Sequence, residues 1–422
     1  MASRSAATRS AGILLAADAA MDSLPEQARP MDALRGQRVT DALSAAGLDA
    51  VVCALPTNVL LLSGYWPIVG TGVIVAGRER RILLVPKDEQ SLAERGHADE
   101  VRTFEPGGSL TQMATAAESV RDPLADIATE LGIERGRIGF EAGEWFEPAS
   151  YAAMHLYAGA MHRVLQSALP SATIEPADEM LRSLRTVKTP AELDRISAAC
   201  AICQTAFTRG AGEVRAGVSE VEAAARFRVP LASPLASRAD GHVAFMSGIN
   251  SASAYGAYAR STDKVMARGE LVLVHCNSYA DGYWTDVTRT FCLGPPDERR
   301  RRMYDAVFAA RDAAFKAIRP GARGADVDRA ARDVLAAAGF AAAFKHPTGH
   351  GVGFAAIDHN ARPRVHPKSD DVLEAGMIFN VEPAIYLDGL DGMRHCDMVR
   401  VTADGALVLT PFSSSMDELV LG

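Results

Sequence analysis

LVLVHCNSYADGYWTDVTRTF, residues 271–291, is the stretch on which the reading of this chain turns. Two β-rich runs flank a turn at YADG, where Asp281-Gly282 is the strongest local signal. His275 and Asp286 then stand equidistant from the turn centre and oppose one another. Opposed residues of an antiparallel pair share a face, with Cβ atoms about 5 Å apart. The two side chains could grip one ion or share one proton. Taken alone, the hairpin is read more readily as a cross-strand polar pair on a solvated face.

Three further stretches change that weighting. HPTGHGVGF (346–354) sets His346 and His350 four apart among glycines that argue against a regular helix. Those glycines permit close backbone approach and put the imidazoles on a tight loop or strand start. His359 follows in IDHNARP. The Walker lysine and the strand-to-helix context of a phosphate loop are missing, so a metal or acid-base role is favoured. In MIFNVEPAIYL (377–387), Glu382 interrupts an apolar strand. An uncompensated carboxylate there would cost several kcal/mol, so it should be paired, protonated or metal-bound. In DGMRHCDMVRV (391–401), strand alternation puts Arg394 and Cys396 on one face, His395 and Asp397 on the other.

Composition bounds the rest. A chain of 422 residues is too long for one core, so two domains are expected. With 48% hydrophobic and 23% charged residues it has the balance of a soluble globular protein. A net charge of -8 and the lack of a basic tail argue against nucleic acid. The one basic cluster, ERRRRMY (298–304), opens a helical pattern and reads as a solvated face. No segment approaches a membrane span. Six scattered cysteines fit a reducing, cytoplasmic compartment, and Cys200 and Cys203, at helical spacing, read as buried helix residues.

Along the chain, residues 1–30 are expected to form a flexible tail, 31–175 an α/β domain and 176–422 an α+β domain with a largely antiparallel sheet. Helices are predicted at 112–132, 148–167, 191–209, 218–227, 297–318 and 324–338. Thr189, Pro190 and Glu192 form a capping-box pattern at the start of the third.

A strand aspartate, a glycine-flanked histidine, a strand glutamate before proline and a final Gly-x-Arg strand, in that order, resemble the pita-bread (M24) hydrolases. That superfamily includes aminopeptidase P, prolidase, methionine aminopeptidase and creatinase. LRSLRTVKTPAELDRI and GFEAG resemble its two-domain members. The resemblance implies a creatinase-type N-terminal α/β domain, a pita-bread C-terminal domain, a homodimer, and a hydrolase cleaving a C–N bond in a small molecule or short peptide. It also implies site residues. Asp286, His350 and Glu382 match metal ligands, with Glu382 as proton carrier. His346 and His359 match two histidines beside the metal, and Arg394 matches the arginine of the last strand.

Three positions depart from the family. The first aspartate of the hairpin becomes His275, the last glutamate becomes Cys396, and a histidine before the hairpin becomes Tyr258. Four carboxylates ordinarily balance two divalent ions. Asp286 and Glu382, even with a Cys396 thiolate, suit one. His275 and Cys396 as ligands would shift preference from Mn²⁺ toward Zn²⁺ or Fe²⁺. The expectation is a mononuclear Xaa-Pro peptidase-like metallohydrolase. One alternative is a metal-free, creatinase-like hydrolase of a small amidino or amide compound. Another is a non-catalytic descendant that binds a ligand or partner, against which the retained Asp286, His346, His350, His359, Glu382 and Arg394 argue.

Overall fold

A computed structural model describes residues 32–68, 70, 72–107, 113–143, 158–255 and 259–421. The expected tail, the first part of the helix predicted at 148–167, and Tyr258 lie outside the described residues.

The N-terminal half is built on a six-stranded sheet. Its strands are β1 (Ala50–Cys53), β2 (Val73–Gly77), β3 (Arg81–Pro86), β4 (Glu100–Phe104), β5 (Arg137–Phe140) and β6 (Thr173–Pro176), in the order β4-β3-β2-β1-β5-β6. β1, β2 and β3 are buried along their whole length, as their unbroken apolar runs require of strands covered on both faces. The opening helix Ala33–Ala46 is capped by Asp32 and ended by Gly47, at φ 67. The helix predicted at 112–132 forms over Ala116–Glu130 behind a Thr115/Glu118 capping box, and the next forms over Gly159–Ala168.

The expected Thr189/Glu192 capping box is present and opens the helix Pro190–Gly210, in which Cys200 and Cys203 are buried. That helix backs a largely antiparallel sheet of β7 (Ala239–Ser247), β8 (Leu271–Ala280), β9 (Tyr283–Trp284) and β10 (Val287–Leu293). Three further helices, Glu220–Arg228, Glu298–Ala317 and Gly324–Ala337, agree with prediction to within a few residues. One sheet face is sealed by the helices in a core containing Cys203, Phe207, Val274, Cys276, Tyr304 and Val307. On the other face His275, Asn277 and Tyr279 of β8 stay partly exposed.

Two of the predicted strands are broken. YWTDVTRTFCL pairs as β9 and β10, with Thr285 and Asp286 between them. MIFNVEPAIYL splits into β11 (Ile378–Val381) and β12 (Ala384–Tyr386), which belong to different sheets. Glu382 is therefore not within a strand but at the crossing, because Pro383 has no N–H to give to a ladder. β12 pairs with β13 (Gly392–Arg394), and β11 with β14 (Asp397–Thr402), which turns into β15 (Gly405–Val408).

The basic cluster departs from a purely solvated face. Arg299 and Arg300 reach the buried Asp391 at 3.3 and 2.8 Å and so anchor the β12–β13 turn. Polar ties also join the two halves. Arg35, fully buried, donates from Nε and Nη2 to Glu192 at 2.8 and 2.6 Å. Arg185 donates to Asn58 at 3.1 Å and to Asp358, beside His359, at 2.8 Å.

Candidate metal and acid-base site

The hairpin register differs from expectation. The loop is Asp281-Gly282 itself, with φ of 50° and 88°, and Ala280 pairs with Tyr283. His275 consequently faces Thr288 rather than Asp286. The parity is unchanged, so His275 and Asp286 still share a face, diagonally, with Nδ1 and Oδ1 3.6 Å apart.

His350 is delivered by the glycine loop, which runs beside β11 like an added strand. Gly351 bridges Phe379, His350 N–H donates to Asn380 Oδ1 at 2.7 Å, and Asn380 N–H donates to His350 O at 3.0 Å. A Cβ at Gly349 would fall 1.9 Å from the Asn380 carbonyl oxygen, so only glycine fits there. Behind the loop, Asp328 accepts from Thr348 N and Oγ1 at 3.0 and 2.9 Å and is itself held by Arg332.

The ring of His350 is aimed by its own Nδ1–H, which donates to Gly351 O at 3.0 Å. Nε2 then faces Asp286 Oδ2 at 3.4 Å and Glu382 Oε1 at 3.7 Å. Among the described residues, Asp286, His350 and Glu382 form the group whose donor atoms all lie within 4.8 Å of one another, a spacing one ion can bridge. Burial lowers the His350 pKa, but Asp286 and Glu382 outweigh it and raise it to about 8. Burial pushes Glu382 up to about 7 against the pull of Arg394 and His350. Asp286 is held below the usual carboxylate range: His350, His275 and Arg394 overcome its burial.

His275 and Cys396 are not in that group. Arg394 Nη2 donates to His275 Nδ1 at 2.9 Å. A guanidinium can only donate, so Nδ1 is an acceptor and the neutral ring carries its proton on Nε2. Burial and Arg394 drive the His275 pKa down to about 3. Cys396 Sγ donates to the Asp286 carbonyl oxygen at 3.2 Å, and burial keeps it a thiol, its pKa raised well above the ordinary value.

Arg394 joins the remaining pieces. Its Nε donates to Thr288 Oγ1 at 3.1 Å, and its Nη1 lies 3.8 Å from Glu382. His346 Nδ1–H donates to Pro347 O at 2.8 Å, which leaves Nε2 to accept from the Tyr386 hydroxyl at 3.0 Å. His359 packs against His350 with ring centroids 5.3 Å apart. Asp397 points away, as strand alternation requires, to Arg289.

Sequence reasoning missed Asn380, Tyr386, Asp328 and Arg332. Asn380 Nδ2 contacts Asp286 Oδ2, His350 Nε2 and Cys396 Sγ at 3.2, 3.1 and 3.5 Å, bracing the whole group. An amide inside an otherwise apolar run, two residues before Glu382, was the available signal.

The chain is similar to known proteins over most of its length. Residues 194–403 match Metallopeptidase family M24, and residues 35–187 match the Creatinase/Prolidase N-terminal domain. A probable dipeptidase PepE of Mycobacterium tuberculosis is 32% identical over 72% of this chain and 84% of its own length. An Xaa-Pro dipeptidase of Pyrococcus furiosus is 28% identical over 89% of this chain and 97% of its own. The solved structure of an Xaa-Pro dipeptidase from Bacillus anthracis superposes with TM-score 0.75 at 25% identity, covering 92% of this chain and 99% of that one. The chain belongs to metallopeptidase family M24, with a creatinase/prolidase N-terminal domain and the pita-bread fold. It is a peptidase of the prolidase type, and its Asp286, His350 and Glu382 are a fitting donor set for one divalent ion.

Proposed function

We propose that the chain hydrolyses the bond between Xaa and proline in short peptides, using one divalent ion held by Asp286, His350 and Glu382. The observation that carries this reading is the convergence of those three donors while Arg394 occupies His275, the position from which a second ion would need a ligand. Arg394 is also a permanent positive charge beside Glu382, which opposes a second cation. The donor set is oxygen and imidazole, so the softness argument for Zn²⁺ or Fe²⁺ over Mn²⁺ is weakened.

A divalent ion here would polarise the scissile carbonyl and make its bound water acidic. Glu382, a carboxylate at the ion site, would take the proton of the attacking water and return it to the proline nitrogen as the C–N bond breaks. In this reading Arg394 orients a substrate oxygen, and His346, whose Nε2 accepts from Tyr386, fixes that hydroxyl. The six cysteines are free and buried, in keeping with a reducing compartment. No helix among the described residues is long and apolar enough to cross a membrane. The homodimer remains part of this proposal.

Protein purified without chelator should release free proline from Xaa-Pro dipeptides and lose that activity on chelation. No release with Mn²⁺, Fe²⁺ or Zn²⁺ supplied would refute the reading. One observation favours a second reading. Arg394 already offsets one of the two carboxylates, so a metal-free hydrolase of a small amidino or amide compound, in the manner of creatinase, is the alternative. Activity that survives chelation selects it.

A further inference from the structure

His359 lies at the site with its ring 5.3 Å from that of His350, yet among the described residues no hydrogen bond holds that ring. The loop on either side aims it. Asp358 N–H donates to Gly351 O at 2.8 Å and Ala361 N–H donates to Asp358 O at 3.1 Å, so the loop folds back on the residue next to His350. The Asp358 carboxylate reaches the boundary between the two halves of the chain, where Oδ1 accepts from Arg185 Nη2 at 2.8 Å. Past His359, Arg362 N–H donates to Thr186 Oγ1 at 3.1 Å. Arg185 and Thr186 are neighbours in one helix, Asp178–Thr186. His359 is therefore slung between two ties to the same helix.

That helix is fixed from the N-terminal side. Its Leu181 and Leu184 share a core with Val39, Val51 and Ile74, and with Phe354 of the glycine loop. Arg185 also donates from Nη1 to Asn58 Oδ1 at 3.1 Å, and Asn58 Nδ2 donates to Glu141 Oε2 at 2.7 Å. Glu141 in turn accepts from the N–H groups of Ala54 and Leu55, each at 2.6 Å. A polar path thus runs from the ends of β1 and β5 to the residue before His359.

Stability alone gives little reason for the last link of that path. Arg185 and Asp358 are 3% and 1% exposed, and taking both charges out of water offsets most of their attraction. Arg185 Nε and Asp358 Oδ2 also lack hydrogen-bond partners among the described residues. A buried pair satisfied only in part is a weak stabiliser, but it fixes a distance. Arg185 spans Asn58 and Asp358 with two nitrogens of one planar fork, which a single lysine ammonium does not match.

Building on the peptidase reading above, we propose that Arg185 and Asp358 are positioning residues: through them the N-terminal domain sets how the 355–361 loop lies over His350, and so where His359 meets the bound substrate. The N-terminal domain thereby contributes to turnover without touching the reacting atoms.

The test is a double-mutant cycle in kcat/KM for Ala-Pro with the full-length, metal-loaded protein. Arg185→Lys keeps the charge and loses the span, and should lower kcat/KM on the order of ten- to a hundredfold, the scale for a misplaced group. His359→Gln should lower it at least as much. In the His359→Gln background, Arg185→Lys should cost less than about twofold, because the group it positions is gone. Equal cost in both backgrounds, or wild-type turnover in Arg185→Lys, overturns the proposal, since charge balance and packing act alike with either side chain at 359. Should Arg185→Lys not fold, Asp358→Asn takes its place in the cycle with the same two outcomes. Hydrogen exchange separates this idea from the peptidase reading, because it needs no substrate. In a protein that cleaves no Xaa-Pro dipeptide, faster exchange of the Asp358 and Ala361 amides in Arg185→Lys, with those of β11 unchanged, keeps the tie between loop and N-terminal domain and loses the peptidase assignment. Unchanged exchange at those two amides overturns the tie.

Discussion

Glu382→Gln should fold as wild type and turn over Xaa-Pro dipeptides on the order of 10²–10⁴ more slowly at saturating metal, the usual scale for loss of a positioned acid-base group. The carboxyl is nine-tenths buried, at 10% side-chain exposure, with Arg394 3.8 Å away. Burial raises its pKa to about 7 without an ion and a bound ion would draw it down, so the carboxylate's part is to exchange a proton between water and the leaving nitrogen. Gln keeps the shape and removes that exchange. Circular dichroism and thermal unfolding should match wild type. A variant that retains full activity would remove Glu382 from the chemistry.

Asp397→Asn should be the most destabilising change near the site, lowering unfolding free energy by about 3–5 kcal/mol at neutral pH, the range for breaking a buried pair. Arg289 and Asp397 meet at 2.6 Å with side chains 0% and 1% exposed. Arg289 also donates to the carbonyl oxygens of Phe412, Thr288, Cys396 and Thr410. Removing the carboxylate strands a buried guanidinium and loosens the backbone that carries Thr288 and Cys396. Arg289 and His395 hold the Asp397 pKa well below the usual range despite burial. Its contribution is therefore present above the unfolded value, about 3.9, and lost as pH falls below it. The gap in denaturant midpoint between wild type and variant should be level from pH 8 to pH 5 and narrow only in stronger acid. A loss of unfolding free energy below about 1 kcal/mol at neutral pH would show that the pair is structurally dispensable.

How much of this was legible in the sequence depended on what each residue's signal was local to. Gly349 and Gly351 announced close backbone approach, and the structure shows what approaches: the Asn380 carbonyl on one side and the Asp358 carbonyl on the other. Thr189 and Glu192 marked a helix start by a contact three residues long. The hairpin itself was legible, but not its register. A turn with two consecutive positive-φ residues places both Asp281 and Gly282 in the loop, and centring it one position earlier opposed the wrong pair. Period-two alternation protected the face while the partner was lost. Pro383 could have revealed the strand break at Glu382. The roles of Asn380 and Arg394 could not be read locally, because Arg394 meets His275 from 119 residues away and Asn380 meets Asp286 from 94. Whether a histidine in a ligand position binds metal or accepts from an arginine is decided by that long-range contact alone.

The most direct test of the one-ion account is elemental analysis of protein purified without chelator, beside the His275→Asp/Cys396→Glu double variant. Wild type should hold one divalent ion per chain. The double variant should hold two, because it supplies the two missing carboxylates and frees the position that Arg394 now shares with His275. Each single variant should gain less, the coupling appearing as non-additivity. Two ions per chain in wild type, or no gain in the double variant, would contradict the account.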